Sequence, residues 1–580
     1  MERKFLPVSR KDLEERHWSH LDIILVSGDA YVDHPAYCAA VIGRVLEDAG
    51  FKVGIIAQPD WRTKEDFLKL GQPRLCFGIT AGNLDSLVAN YTANKRPRKK
   101  DDYSPGGKTG LRPDRASIVY ANKIREVFPH TSIVLGGIEA SLRRLAHYDY
   151  WDDAVRRSIL LDARADILVY GMGERQILEI ARRLSRGEDL YYVRGTAVVR
   201  ESLEGLRDFA VIPSFEEVKS DKNKFNQAFK TLYLELDPFR GKTIVQKHQE
   251  RFVIQFPPAL PLSTEALDRI YALPYVRRWH PIYEQEKGVP GLETVRFSVI
   301  SHRGCCGECS FCALYAHQGR IVQSRSQESI LKEIESLARQ KDFRGTISDI
   351  GGPTANLYKT ECRLWEKEGA CRNKKCLFPK RCENLKLDYA RMLSIWDGAG
   401  KIAPVKHIFM GSGFRYDLLL DKDAERYLEM LCKYHTSGQL KVAPEHIADE
   451  VLEVMQKPKF SVYRDFVEKF KKINRRLNKK QYLVNYFISA HPGADLKTAF
   501  KLSLYLKNSH LHPEQVQDFI PLPLTLSGCI YYTARHPFSG KEIYVARTFR
   551  ERKMQRAFLQ YRQSQNKKLI RQAQIKLDKV

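Results

Sequence analysis

Over residues 1–290 the apolar positions fall into short runs that end at glycine or a polar residue. LDIILVSG (21–28), KVGIIAQ (52–58), RLCFGI (74–79), SIVLGG (132–137) and DILVYG (166–171) read as buried parallel strands. A strand covered on both faces shows continuous hydrophobicity instead of alternation. Between the runs the spacing becomes helical. Ala39, Ile42, Val45 and Leu46 form one stripe within 35–49, and similar patterns recur near 115–127, 153–163 and 174–185. This alternation predicts an open, mostly parallel α/β sheet covered on both faces, a Rossmann-like domain spanning 1–213. Residues 214–290 are more polar and read as a linker or helical region.

The strand–helix rhythm resumes near 291. Strand runs occur at 295–301, 345–351, 405–411, 440–446, 482–490 and 516–522, and a helix at 326–339 carries Ile330, Ile334 and Leu337 in register. These units predict a partial β/α barrel over 291–545, whose reactive loops follow the carboxyl ends of the strands. A cysteine-containing insertion occupies 360–385. Residues 546–580 read as a basic C-terminal tail, helical or disordered, with apolar pattern limited to Phe558, Leu559 and Tyr561. Residues 94–113 form a long Pro- and Gly-rich loop, in which Lys95, Arg96, Arg98, Lys99 and Lys100 would either contact phosphate or remain solvated.

Charge narrows the partners. The 580 residues carry a net charge of +26, which favours polyanions such as RNA, DNA or an acidic surface. No apolar run approaches the ~20 residues of a membrane span, and the first twenty residues are too charged for a secretory signal. No membrane association and a cytoplasmic location are therefore expected.

Of the twelve cysteines, Cys38, Cys76, Cys432 and Cys529 stand alone, and the others cluster at 305–312 and 362–382. In a reducing compartment such clusters point to metal or redox chemistry. Cys305-x3-Cys309-x2-Cys312 lies directly after a strand run. Three thiolates on one loop can ligate three irons of a 4Fe–4S cluster and leave the fourth iron open. Gly304 and Gly307 would let the backbone turn tightly, and Arg303 and loop N–H groups could offset the cluster's charge. A half zinc ribbon from Cys306 and Cys309, completed by His302, His317 or the second group, is the competing reading, with inert thiols a third. The second group, Cys362, Cys371, Cys376 and Cys382, lacks C-x-x-C pairs but could hold zinc or a further Fe–S cluster, with Lys374, Lys375, Lys380 and Arg381 nearby.

The triplet resembles the radical SAM signature C-x3-C-x-aromatic-C, with Phe311 as the aromatic. DIGGPTANLY (349–358) resembles the glycine-rich loop of that superfamily. There Gly351, Gly352 and Pro353 would face the methionyl part of S-adenosylmethionine (SAM). The segment after the cluster loop, with Arg320 and Arg325, is also similar. Together with NYTANKRPRKKDDYSPGG, LKVAPEH, YFISAHPG and YYTARHP, the motifs resemble the YgiQ-type family across nearly the whole chain. One departure is Cys306-Gly307-Glu308, where that family more often has a bulky apolar residue and glycines. The resemblance implies SAM as cofactor, a flavodoxin- or ferredoxin-type electron donor and an unassigned substrate. Further pocket candidates just beyond predicted strands are Ser412, Arg415, Asp417, Glu445, His446 and His491. Glu445 would bind a ribose hydroxyl or the SAM amino group, and Glu445, His446 and His491 are the candidate catalytic groups.

Residues 134–145 and 166–184 resemble the Rossmann-like domain ahead of many radical SAM cores, several of which bind cobalamin. Asp33-His34 is followed by Pro35 and does not complete an Asp-x-His-x-x-Gly motif, so cobalamin is not expected. Three classes stay open: a radical SAM enzyme acting on RNA, a cobalamin-assisted radical methyltransferase, and a non-enzymatic zinc and nucleic-acid-binding protein.

Overall fold

The computed structural model describes residues 4–513 and 516–578. Two compact units emerge: Met1–Arg296 with Ala316–Gly319, and Phe297–Tyr315 with Arg320–Val580. Among the described residues no helix is long and apolar enough to cross a membrane.

The first unit is built on a nine-stranded sheet. Its strands are β1 (Ile23–Ser27), β2 (Val53–Ala57), β3 (Cys76–Thr80), β4 (Ser132–Gly136), β5 (Ile167–Val169), β6 (Thr196–Arg200), β7 (Phe209–Ile212), β8 (Thr243–His248) and β9 (Arg251–Gln255). The order is β7-β8-β9-β6-β5-β4-β3-β1-β2. The five strands foreseen from their apolar runs are mutually parallel, and α1 (Cys38–Asp48), α2 (Ala116–Val127) and α3 (Glu174–Arg186) form as their spacing predicts. Ile23, Ile55, Cys76 and Ile167 are fully buried.

Two expectations require correction here. Residues 214–290 are helical at Phe215–Ser220, Lys222–Leu234 and Thr264–Ala272, as one of the two readings had it, but they are not a linker: they also supply β8 and β9, a hairpin that adds antiparallel strands to the sheet. The hairpin escaped notice because polar residues interrupt its apolar run. Gln246 and Gln255 are nonetheless buried, bonded to Pro213, Ala146 and Arg144. The helix expected at 153–163 is a strand at Ala154–Arg156, paired with His147–Asp149, followed by a short helix at Ile159–Asp162 capped by Ser158. In the basic loop at 94–113, Lys95 donates to the Trp151 carbonyl at 3.0 Å and Arg98 to the Val88 carbonyl at 3.0 Å, Lys100 pairs with Asp102, and Arg96, Arg98, Lys99 and Lys100 are all exposed.

That loop also delivers Arg112 to the point between β1 and β3 where the strand order reverses, the usual ligand crevice of such sheets. Arg112 is buried, donates to the Gly28 carbonyl at 2.9 Å and pairs with Asp29 at 2.6 Å and Asp101 at 3.3 Å.

The second unit carries consecutive parallel strands: β10 (Ser298–Ile300), β11 (Thr346–Ile347), β12 (Asp349–Gly351), β13 (His407–Ile408), β14 (Gln439–Glu445), β15 (Tyr482–Ser489) and β16 (Gln517–Asp518). β10 pairs with β12, β11 with β13, β14 with β15, and β15 with β16, all parallel. Phe414 bridges β14 at Val442, so the pairing follows chain order as in a partial β/α barrel. Ile330, Ile334 and Leu337 of α4 (Gln327–Ala338) bury against this wall together with Ile347 and Trp396.

The expected tail is ordered. The helices α5 (Phe549–Leu559) and α6 (Lys567–Leu577) bury Met554, Phe558, Leu559 and Ala573 against Phe487, Leu502 and Leu506. Apolar residues at helical spacing fix it, and most of its charges are exposed, while Arg552 is buried and donates to the Phe519 carbonyl. Residues 579–580 lie outside the described residues.

Candidate active site at the cysteine loop

β10 runs into the cysteine loop, whose base is closed by pairing of His302–Arg303 with Gln323–Ser324. Gly304 has φ +82°, and a Cβ there would stand 2.2 Å from the Ile321 carbonyl oxygen, so only glycine makes this turn. Cys305 Sγ accepts the Gly307 N–H at 3.4 Å, and the Cys312 N–H donates to the Cys309 carbonyl at 3.0 Å. A Cβ on Gly307 would lie 2.9 Å from Arg415 Nη1 and 3.3 Å from Cys305 Sγ, so glycine keeps this corner open. Arg415 Nη1 is 3.8 Å from Cys309 Sγ, while its Nη2 holds Asp417 at 2.8 Å. The Arg415 backbone is in turn clamped to the Asn356 side chain by two bonds, at 2.9 and 3.0 Å.

Burial, then the neighbouring Cys309, raises the Cys305 thiol, and burial, Cys309 and Cys305 push Cys312 up to about 12. Thiols in this setting ionise when a metal takes the place of the proton. Cys306 is different. It is 1% exposed and sits in an apolar cluster with Leu357, Leu377 and Leu418, against which Cys305 also packs. The ring of His302 is held by Ser301 at 2.9 Å and the Thr354 carbonyl at 3.0 Å. Among the described residues no three His, Cys, Asp or Glu side chains converge as a single metal ion requires. Three thiols on one loop, an opposing guanidinium and a corner kept clear by Gly307 fit a 4Fe–4S cluster with one iron left without a protein ligand.

The glycine-rich loop lies beside it. A Cβ on Gly352 would meet the His302 ring at 2.7 Å, and one on Gly351 would meet Ser412 Oγ at 2.5 Å. Pro353 follows, half-buried. Ser412 does not present a free hydroxyl: it bonds to Asp349, whose other oxygen accepts the Gly411 and Ser412 N–H groups at 2.8 and 3.1 Å. Asp349 was missed from sequence. An acidic residue two positions before a glycine pair at a strand end was the available signal.

Arg325 departs from its expected role as a cofactor ligand. Its guanidinium is 1% exposed and committed to the Ile300 carbonyl at 2.9 Å, Ser329 Oγ at 2.7 Å and Glu333, which ties α4 to β10. Glu308 was also missed: at φ +45° within the loop it pairs with Arg320 at 3.0 Å and lies 3.9 Å from Lys375.

Glu445 ends β14 at φ +65°, after an irregularity in its pairing with β15. Its carboxylate is buried and 3.7 Å from Lys457 Nζ; burial raises its pKa against the pull of Lys457. A non-glycine residue held at positive φ beside a predicted pocket marks a position fixed by more than local preference. His446 Nδ1 accepts the Ala448 N–H at 3.0 Å, and burial pushes the ring down to about 4. His491 is fully enclosed. Nδ1 donates to the Pro492 carbonyl at 2.7 Å, so Nε2 accepts from Ser527 Oγ at 2.7 Å, and Ser527 reaches Ser310 of the cysteine loop at 2.7 Å. Phe311 stands edge-on to the same imidazole at 5.9 Å.

In the second cysteine group, Cys362 pairs opposite Leu385, and the Cys382 N–H donates to the Cys376 carbonyl at 2.8 Å.

Comparison with known proteins adds the following. A family model described as Radical SAM N-terminal matches residues 5–298, and a domain of unknown function, DUF3362, matches residues 514–578. A UPF0313 protein of Clostridium botulinum (strain ATCC 19397 / Type A) is 52% identical over 575 residues, 99% of this chain and 89% of the relative. A UPF0313 protein of Methanocella arvoryzae is 52% identical over 571 residues, 98% of this chain and 95% of the relative. A solved structure of the radical SAM methyltransferase TsrM from Kitasatospora setae, with cobalamin and a 4Fe–4S cluster bound, has 17% identity and a TM-score of 0.47, covering 87% of this chain and 77% of TsrM. The expectation against cobalamin draws no support from these comparisons.

Proposed function

The chain belongs to the UPF0313 family and, through its N-terminal half, to the radical SAM superfamily, and we propose that Cys305, Cys309 and Cys312 are the ligands of its 4Fe–4S cluster. The observation that supports this reading is the gathering of three thiols on the loop after β10, with Arg415 against Cys309. Held by Cys305, Cys309 and Cys312 and reduced by an external low-potential electron donor, the cluster would supply one-electron reductive cleavage of SAM, the chemistry that starts hydrogen abstraction from a substrate.

The chain's own residues prepare that chemistry. The three thiolates leave one iron open to SAM. Arg415 holds positive charge beside Cys309 and is itself oriented by Asp417 and Asn356. The Gly351-Gly352-Pro353 backbone lies close to its neighbours and offers peptide groups, without side-chain bulk, to the methionyl part of SAM. Glu445 accepts from a ribose hydroxyl or the SAM amino group. Phe311 packs the rim against His491 and helps exclude water.

The substrate class favoured by the net charge of +26 is a polyanion such as RNA. RNA affinity that falls steeply with salt supports this, and absent or salt-insensitive binding removes it.

SAM binding to the reconstituted protein tests the site. Glu445→Gln should weaken it about tenfold, the scale of one lost charge-assisted hydrogen bond, with iron content unchanged. Equal SAM binding by wild type and the Cys305/Cys309/Cys312→Ala variant would remove the reading.

A further inference from the structure

The chemistry above leaves unused the four cysteines at 362–382. Glu361–Cys362 and Leu385–Lys386 form a short antiparallel ribbon that closes the segment. Within it the Cys382 N–H bonds to the Cys376 carbonyl at 2.8 Å and the Leu385 N–H to the Cys382 carbonyl at 3.1 Å. Gly369, at φ +68°, ends the helix Trp365–Glu368 and returns the chain toward Cys371. Cys376 therefore lies within electrostatic range of Cys362, Cys371 and Cys382 alike. Cys362, Cys376 and Cys382 pack against one apolar cluster, and all four cysteines of the insertion are free thiols.

The surroundings are built. Cys362, Cys376 and Cys382 pack on the apolar cluster that also holds Cys305 and Cys306, beneath Trp365, Leu377 and Leu385. Lys375 reaches from the insertion to Gln456 Oε1 at 2.5 Å and lies 3.9 Å from Glu308 of the catalytic loop. Lys374 and Lys380 flank the cysteines in sequence, and Arg381 pairs with Asp421.

The donor set decides the cofactor class. A tetrahedral zinc ion draws its thiolates to Zn–S distances of about 2.3 Å, whereas an iron–sulfur cluster spreads them over several irons. Among the described residues neither cysteine group brings three side chains to a single-ion point. The insertion offers four thiols where the Cys305 loop offers three, the full complement that a protein-ligated 4Fe–4S cluster takes.

We propose that Cys362, Cys371, Cys376 and Cys382 hold a second 4Fe–4S cluster, fully ligated by the protein. With every iron taken by a thiolate it has no position for SAM. It shares an apolar wall with the Cys305 loop and is tied to that loop through Lys375 and Glu308.

The test uses the full chain, reconstituted anaerobically with iron and sulfide. Wild type should hold about eight irons, the Cys305/Cys309/Cys312→Ala variant about four, and the Cys362/Cys371/Cys376/Cys382→Ser variant about four. Iron that survives in the triplet variant belongs to the insertion whether or not the Cys305 reading holds, so the two fail separately. A triplet variant that unfolds at the wild-type temperature yet holds no iron, or holds zinc in place of iron, overturns the proposal. Wild type also supplies a test free of any folding defect. Two distinct signals from reduced clusters are expected, and a single signal with four irons per chain overturns the second site.

Discussion

Arg415 stands between two negative partners, with Nη1 3.8 Å from the thiol of Cys309 and Nη2 2.8 Å from Asp417. The guanidinium is buried, so its charge acts on the cluster loop with little screening by water. Removing it as Arg415→Met should make the cluster harder to reduce, lowering its midpoint potential by on the order of 60 mV, the equivalent of ~1.4 kcal/mol for a one-electron couple. Arg415→Lys should recover part of the shift. Potentiometry at constant iron content reads both, and an unchanged potential in Arg415→Met would show that Arg415 serves only to hold Asp417 and Asn356.

His491 supports the cysteine loop through Ser527 and Ser310. With both ring nitrogens engaged and the pKa pushed down to about 3 by burial, it stays neutral at working pH. Ser527→Ala should cost about 1–3 kcal/mol, because a buried acceptor loses its donor, and should speed cluster loss in air. The pH–rate profile should keep its shape. A limb of that profile that disappears in His491→Gln would instead assign proton transfer to the ring.

Arg325 and Glu333 form a buried ion pair that fastens α4 to β10. Glu333→Ala leaves the guanidinium without its counter-charge and should destabilise the second unit by about 3–5 kcal/mol. SAM affinity of the folded fraction should not change. Loss of SAM binding at an unchanged melting temperature in Arg325→Lys would restore Arg325 to the cofactor site.

The long apolar runs were legible because a strand buried on both faces has no polar interruption: Ile23–Ser27 and Cys76–Thr80 were foreseen on that ground. β8 and β9 were not, since Gln246 and Gln255 meet buried partners that only the folded chain supplies. At the site, the proposed ligands Cys305, Cys309 and Cys312 were legible from spacing, because residues on one loop are local in sequence. Arg325 was misjudged for the opposite reason: its partners Ile300 and Glu333 show nothing in sequence of being in reach. Asp349 and Glu308 went unread because their roles depend on Ser412 and Lys375, sixty-odd residues away along the chain.

Three histidines of the second unit are held neutral by burial: His302 and His446, pushed down to about 4, and His491, to about 3. A depressed folded-state pKa contributes stability that is complete above the unfolded value of about 6.5 and is lost as pH falls toward the folded value. Between pH 6.5 and 4 each ring should therefore cost roughly 1.4 kcal/mol per pH unit. Denaturant melts across that window should show uptake of about three protons from these rings on unfolding, with further uptake from other buried histidines such as His147 and His248 of the first unit. His446→Asn should remove about one of them. A melt insensitive to pH between 6.5 and 5 would contradict the buried neutral state.

The central claim is that Cys305, Cys309 and Cys312 support reductive cleavage of SAM. Anaerobic reconstitution, a low-potential reductant and quantification of 5′-deoxyadenosine test it directly, with Cys305→Ala, Cys309→Ala and Cys312→Ala beside wild type. The account predicts 5′-deoxyadenosine from wild type and none above background from each variant, while Cys306→Ala keeps the activity. SAM left intact by iron-loaded wild type, or cleavage that survives loss of any one of the three thiols, would contradict it.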